Sequence, residues 1–153
     1  MQIPSWAFKT FINQLHLILK MEIAKFKQQY ESLAKKHKLP SFEELDNDFE
    51  LLYIRDFLEI NYPLKFIRRR IIDKIVIYCN MFQVLIQPNP SSPISLQESK
   101  FFKEEELKRM VDVLKELMYI ERTSFALDTD STEEKDASFI KDALIIWEKH
   151  KKE

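Results

Sequence analysis

The chain contains no glycine in 153 residues, and that absence limits its fold more than any residue it does contain. Glycine normally supplies the left-handed turns, tight hairpins and helix C-caps, and it lets backbone approach a phosphate closely. Without it, two-residue hairpins are disfavoured, and Asn or Asp is expected at the left-handed positions. Every glycine-dependent nucleotide fingerprint is excluded, including the P-loop, the dinucleotide fold and the kinase loop. Helices joined by irregular loops remain, so the expected class is all-α.

The length suits one domain with a real core. Hydrophobic residues make up 45% and charged residues 32% of the chain, the balance of a folded rather than a disordered protein. The net charge of −1 conceals alternating blocks. Residues 1–40 hold seven Lys against two Glu, residues 41–60 seven acids against one Arg, and residues 61–90 five bases against one Asp. Alternation of this kind points to elements that neutralise one another when packed. The single cysteine, Cys79, forms no intramolecular disulfide. No secretory leader and no apolar run of ~18 residues is evident. An intracellular, cytoplasmic protein without a transmembrane segment is the expectation.

Hydrophobic periodicity divides the chain into helices. Ile12, Leu15, Leu19, Ile23, Phe26, Tyr30 and Leu33 make one stripe between Trp6 and His37. One helix over that range would be ~48 Å long at ~1.5 Å per residue, so a break near Lys20–Met21 is anticipated, with residues 1–20 as a candidate N-terminal extension. Pro40 ends the stripe, and Ser41 with Glu44 forms an S-x-x-E capping box for a short helix from Phe42 to about Asp46. Phe49 to Ile60 is assigned to helix. Pro63 opens a central helix to about Ile86, with Leu64, Ile67, Ile71, Ile75, Tyr78, Phe82 and Leu85 as its main stripe. Ile77, Met81 and Val84 widen the apolar arc, which predicts burial on most sides. Residues 88–99, rich in Pro and Ser, are expected to form the inter-helix loop, with Ser99 capping the next helix. That helix carries Leu107 to Met118 and ends near Arg122. Ser131 with Glu134 reads as a second capping box, opening a last helix striped by Ala137, Ile140, Ala143, Leu144 and Trp147. The expected architecture is a single-domain bundle of four to five helices around residues 63–86.

Within that frame the triplet Arg68, Arg69 and Arg70 is the nearest thing to a functional signal. Consecutive helical residues are ~100° apart, so the three fan over more than half the circumference and cannot present one flat face to a phosphate backbone. Seven acids lie just upstream (Glu43, Glu44, Asp46, Asp48, Glu50, Asp56, Glu59), and ion pairing with them is the expected role. Anion or nucleic-acid contact through Lys20, Lys25, Lys27, Lys35, Lys36 and Arg68–Arg70 is the alternative. Trp6, Phe8, Phe11, Ile12 and Leu15 among lysines sketch a basic amphipathic helix able to lie on a membrane surface, although an ordinary bundle helix accounts for the same residues.

Other chemistry is poorly supported. Asp128, Asp130 and Thr132 resemble the start of a calcium loop, but Glu133 replaces its glycine and Phe139 its bidentate acid. His16, His37 and His150 are isolated, and Cys79 sits in an apolar arc. No catalytic residue, metal ligand or cofactor site is expected, and the chain reads as non-enzymatic.

The segment "YESLAKKHKLPSFEELDNDFEL", Tyr30 to Leu51, resembles small uncharacterised archaeal helical proteins. In these a lysine-rich helix leads through an "LPSFEELD"-like turn to a long apolar helix. The likeness extends loosely from Met21 to the C-terminus and omits residues 1–20. It implies an intracellular helical protein and carries no activity, ligand or catalytic residue. The wide apolar arc, the overlong first helix and the missing catalytic constellation lead instead to the functional expectation of a structural or protein-interaction module that self-associates, with a protein partner or homo-oligomer as its target and no cofactor.

Overall fold

Pro40 is the first fixed point of the architecture. A computed structural model describes residues 5–51 and 62–151, and among these every regular element is a helix. There are six: α1 (Ser5–His37), α2 (Phe42–Phe49), α3 (Pro63–Ile86), α4 (Pro93–Ser99), α5 (Glu104–Thr129) and α6 (Glu133–His150). The all-α class is therefore observed. The chain divides into two compact units, Met1–Phe66 and Ile67–Glu153, with the boundary inside α3.

In the first unit, α1 runs without the break anticipated at Lys20–Met21. It ends three residues before Pro40. Lys38 takes a left-handed conformation (φ 55°), and Leu39 N–H donates to Ala34 O at 2.9 Å. That six-to-one bond is the Schellman closure, usually built on glycine. The Ser41 capping box forms as expected, with Glu44 N–H donating to Ser41 Oγ and Ser41 N–H to the Glu44 carboxylate at 2.7 Å. The Ser41 N–H first, and then the Ser41 hydroxyl donating at 2.9 Å, hold the Glu44 carboxyl below the ordinary carboxylate range. α2 continues three residues past Asp46 because Glu50 also turns left-handed (φ 51°) and donates its N–H to Asp46 O. Asn and Asp were the expected occupants of such positions. Lys38 and Glu50 take them instead, at a cost of order 1 kcal/mol each. Of the segment Phe49–Ile60 assigned to helix, Phe49 is helical as the last residue of α2, Glu50 and Leu51 are not, and residues 52–60 lie outside the described residues.

The core of this unit is aromatic. Phe26 meets Phe42 and Phe66 edge-on at 5.9 and 5.2 Å, and Tyr30 meets Phe42 at 6.1 Å. The buried Tyr30 hydroxyl donates to Pro40 O at 2.9 Å. Burial first, and then the charges of Glu31 and Glu44, push its pKa up, so it remains a donor.

In the second unit, Ile67, Ile71, Ile75 and Cys79 of α3 are buried with Leu117, Ile120, Ala137, Ile140 and Ala143. Of the expected main stripe of α3, Ile67, Ile71 and Ile75 therefore lie in this core, whereas Tyr78, Phe82 and Leu85 are half-buried. α5 and α6 form an antiparallel hairpin across a three-residue loop, Asp130–Thr132. At its open end Glu116 accepts from Lys149 Nζ (2.6 Å) and contacts His150 Nε2 (2.9 Å). Tyr78 and Trp147 meet edge-on at 5.4 Å.

Four local expectations are corrected here. The 88–99 loop contains α4, because Pro93 stands at its first turn, where the missing N–H costs nothing, and Ser92 caps it by accepting from Ser95 N–H. Ser99 does not cap α5; its hydroxyl donates back to Leu96 O. α5 begins after Lys103, whose N–H donates to Glu106 at 2.7 Å, and runs to Thr129 rather than Arg122. Thr132, not Ser131, caps α6 by accepting from Lys135 N–H. The Ser131 hydroxyl is committed to Asp136.

Candidate functional site

The arginine triplet separates as its angular spread requires. Arg68 is fully buried, Arg69 is exposed and Arg70 is half-buried. A buried guanidinium is tolerated only when its N–H groups find acceptors. Arg68 Nε donates to Asp136 Oδ1 at 2.8 Å, Nη1 to Ser124 O and Oγ at 2.9 and 2.7 Å, and Nη2 to Asp128 Oδ1 at 2.7 Å. The second oxygen of Asp136 accepts from Ser131 at 2.7 Å. This clasp ties α3 to the end of α5 and the start of α6.

The pairing expectation for Arg68 is met in kind and corrected in partner. Its carboxylates come from downstream, not from the acidic block before Pro63. As an anion contact Arg68 is ruled out, because its donors are consumed and none reaches solvent. Arg69 lies 3.6 Å from the same Asp128, and Arg70 lies 3.3 Å from Asp73. The calcium-like residues have other duties: Asp128 serves Arg68, Asp130 pairs with Lys135, and Thr132 caps α6.

The candidate lysines do not gather into one patch. Lys20, Lys25 and Lys35 are exposed along α1. Lys27 is engaged, 3.3 Å from Glu43 and 4.6 Å above the Phe42 ring. Lys36 is exposed but has an interaction of its own. The side chains of Trp6, Phe8, Phe11, Ile12, Leu15 and His16 lie outside the described residues.

The most unusual surface lies on α3 itself. Ile77, Met81 and Val84, expected to be buried, are 63%, 47% and 51% exposed. They are spaced four and three residues apart, so they occupy an arc of about 60° on one face. Ile71, Ile75 and Cys79, the buried residues of this part of α3, point to other sides of the helix. From Ile75 to Gln97 the sequence has no charged residue. α4 adds exposed Ile94 and Leu96 to that uncharged stretch. The exposed apolar residues of α3 and α4 thus fall within one uncharged stretch of sequence.

Cys79 is buried, and that burial, helped by the charge of Glu121, pushes its thiol up to about 11, away from nucleophilic use. Among the described residues no group of three or more His, Cys, Asp or Glu side chains is arranged to hold a metal ion. Among them, too, no helix is long and apolar enough to cross a membrane. Compared with protein-family models, curated proteins and solved structures, the chain matches none.

Proposed function

We propose that the chain is a non-enzymatic protein-interaction module that associates with a second copy of itself through the outer face of α3. The observation that carries this reading is the exposed stripe Ile77–Met81–Val84 within an uncharged stretch. In a two-fold symmetric contact, residues near the axis meet their own copies. A charged residue there would face its like, and between Ile77 and Val84 this face has none; Asp73 and Arg70 lie one and two turns before Ile77 and pair with each other. Asn80, exposed beside the stripe, carries both a donor and an acceptor and can pair with its own copy. A reducing, cytoplasmic setting suits a chain whose one thiol is buried.

Size-exclusion chromatography with light scattering tests the proposal. The wild-type chain is expected to run as a dimer at micromolar concentration. Ile77→Lys with Met81→Lys should yield monomers of unchanged helicity, because both side chains are exposed. A wild-type chain that stays strictly monomeric across that range would overturn it.

A further inference from the structure

A second exposed apolar face exists in the other unit, and its charge pattern differs. On α1, Leu17, Ile18 and Met21 are 60%, 54% and 64% exposed. Helical geometry places them within an arc of about 100°. This face lies opposite the one that buries Phe26, Tyr30 and Ala34. Met21 is followed on the same side by exposed Ala24, Lys25, Gln28, Ser32 and Lys35. Lys20 stands about 60° to one side of Leu17, Lys25 falls inside the arc, and Lys35 is in line with Leu17 five turns on. Two acids come near. Glu22 lies about 40° beyond Ile18 at the edge of the face. Glu31 is half-buried, and its carboxylate accepts from Phe42 N–H at 2.7 Å.

We infer that this face of α1 docks on an anionic lipid surface. The exposed aliphatic side chains enter the headgroup boundary, and Lys20, Lys25 and Lys35 meet lipid phosphates and carboxylates. A helix that lies in an interface needs an apolar face bordered by cations; here the apolar residues fill the turn Leu17–Met21, and the lysines border it and continue to Lys35, ~27 Å from Leu17. A second copy of the chain fits less well here, since a symmetric contact would bring lysine against lysine. Nucleic acid also fits less well. A phosphate backbone offers nothing to Leu17, Ile18 and Met21, and these aliphatic chains supply no stacking platform for bases.

Co-sedimentation of the full chain with phosphatidylcholine vesicles, with and without phosphatidylserine, tests this at low and high salt. Binding is expected only to the serine-containing vesicles and should fade with salt. Each lysine near an anionic surface adds about fivefold to the association, so Lys20→Gln/Lys25→Gln/Lys35→Gln should weaken it by on the order of a hundredfold. Leu17→Gln/Ile18→Gln/Met21→Gln should abolish it while helicity by circular dichroism is retained. If that triple variant loses helicity, Met21→Gln alone should still give a measurable loss. Equal binding to neutral vesicles, no binding to either kind, or binding indifferent to the apolar substitutions would each overturn the inference. Retention on duplex DNA unchanged by the apolar substitutions would assign the lysines to nucleic acid instead.

Discussion

The two units carry their unfavourable contributions in different places. The first has an apolar, aromatic core and strained backbone: Lys38 and Glu50 close its two helices in a conformation that glycine would adopt freely. The second has no left-handed residue among those described, and its core encloses a charged side chain, Arg68, with Asp136. A chain without glycine must reverse direction by other means. The first unit accepts local strain for tight helix ends, whereas the second uses a three-residue loop and fixes its geometry with a charge clasp. Local strain is relieved by a single substitution. A buried charge network responds in the opposite way, because removing any member strands the others.

The largest expected effect breaks the clasp. Asp136→Ala leaves the Arg68 Nε buried without its carboxylate, and should cost about 3–5 kcal/mol in urea unfolding. Arg68→Met combined with Asp136→Leu should recover most of that loss, because no charge is then stranded. A double variant as unstable as the single one would show that Arg68 holds the unit by packing rather than by charge. In the first unit Glu50→Gly should act in the stabilising direction, by about 1 kcal/mol, since glycine removes the left-handed penalty. A loss on that substitution would mean that the Glu50 side chain contributes more than its backbone costs.

The smallest effect concerns the open end of the α5–α6 hairpin. Hydrogen bonds from Lys149 and then His150 hold the Glu116 carboxyl below the ordinary carboxylate range. A carboxyl depressed on folding contributes stability that is present above its unfolded value of about 4.3 and is lost as pH falls through the lower folded value. Because Glu116 and Lys149 are partly exposed and solvent screens the pair, the amplitude should stay under ~1 kcal/mol. Glu116→Gln should flatten that part of the acid limb of a thermal-unfolding profile.

Local chemistry made much of the fold readable. The apolar spacing of α1 and α3 and the Ser41–Glu44 box act within four residues, and they appear where periodicity and capping rules place them. α4 was hidden because prolines read as stops, whereas Pro93 is a start. Arg68 was assigned the nearest acids, but its partners are separated from it by 56 to 68 residues; Asp128 drew notice only for its likeness to a calcium loop, and Asp136 follows a capping box read at Ser131 and Glu134. Ser124 carried no signal at all, since a serine within a helix is ordinary until an arginine arrives beside it. For Ile77, Met81 and Val84, periodicity identified an apolar arc correctly, but it has no means of saying which part of an arc a neighbour covers. A helix with a main apolar stripe at 64–85 and further apolar positions outside it was the available hint.

The geometry of the clasp also bears on the order in which the second unit assembles. Ser124, Asp128 and Asp136 converge only after α5 and α6 have folded against each other, a local event across three loop residues. Arg68 comes from far earlier in the chain, so its binding site does not exist until that hairpin is formed. The arginine thus acts as a check on completed assembly: α3 can lose its charge to the interior only when the hairpin has already brought both carboxylates to the place where they are needed.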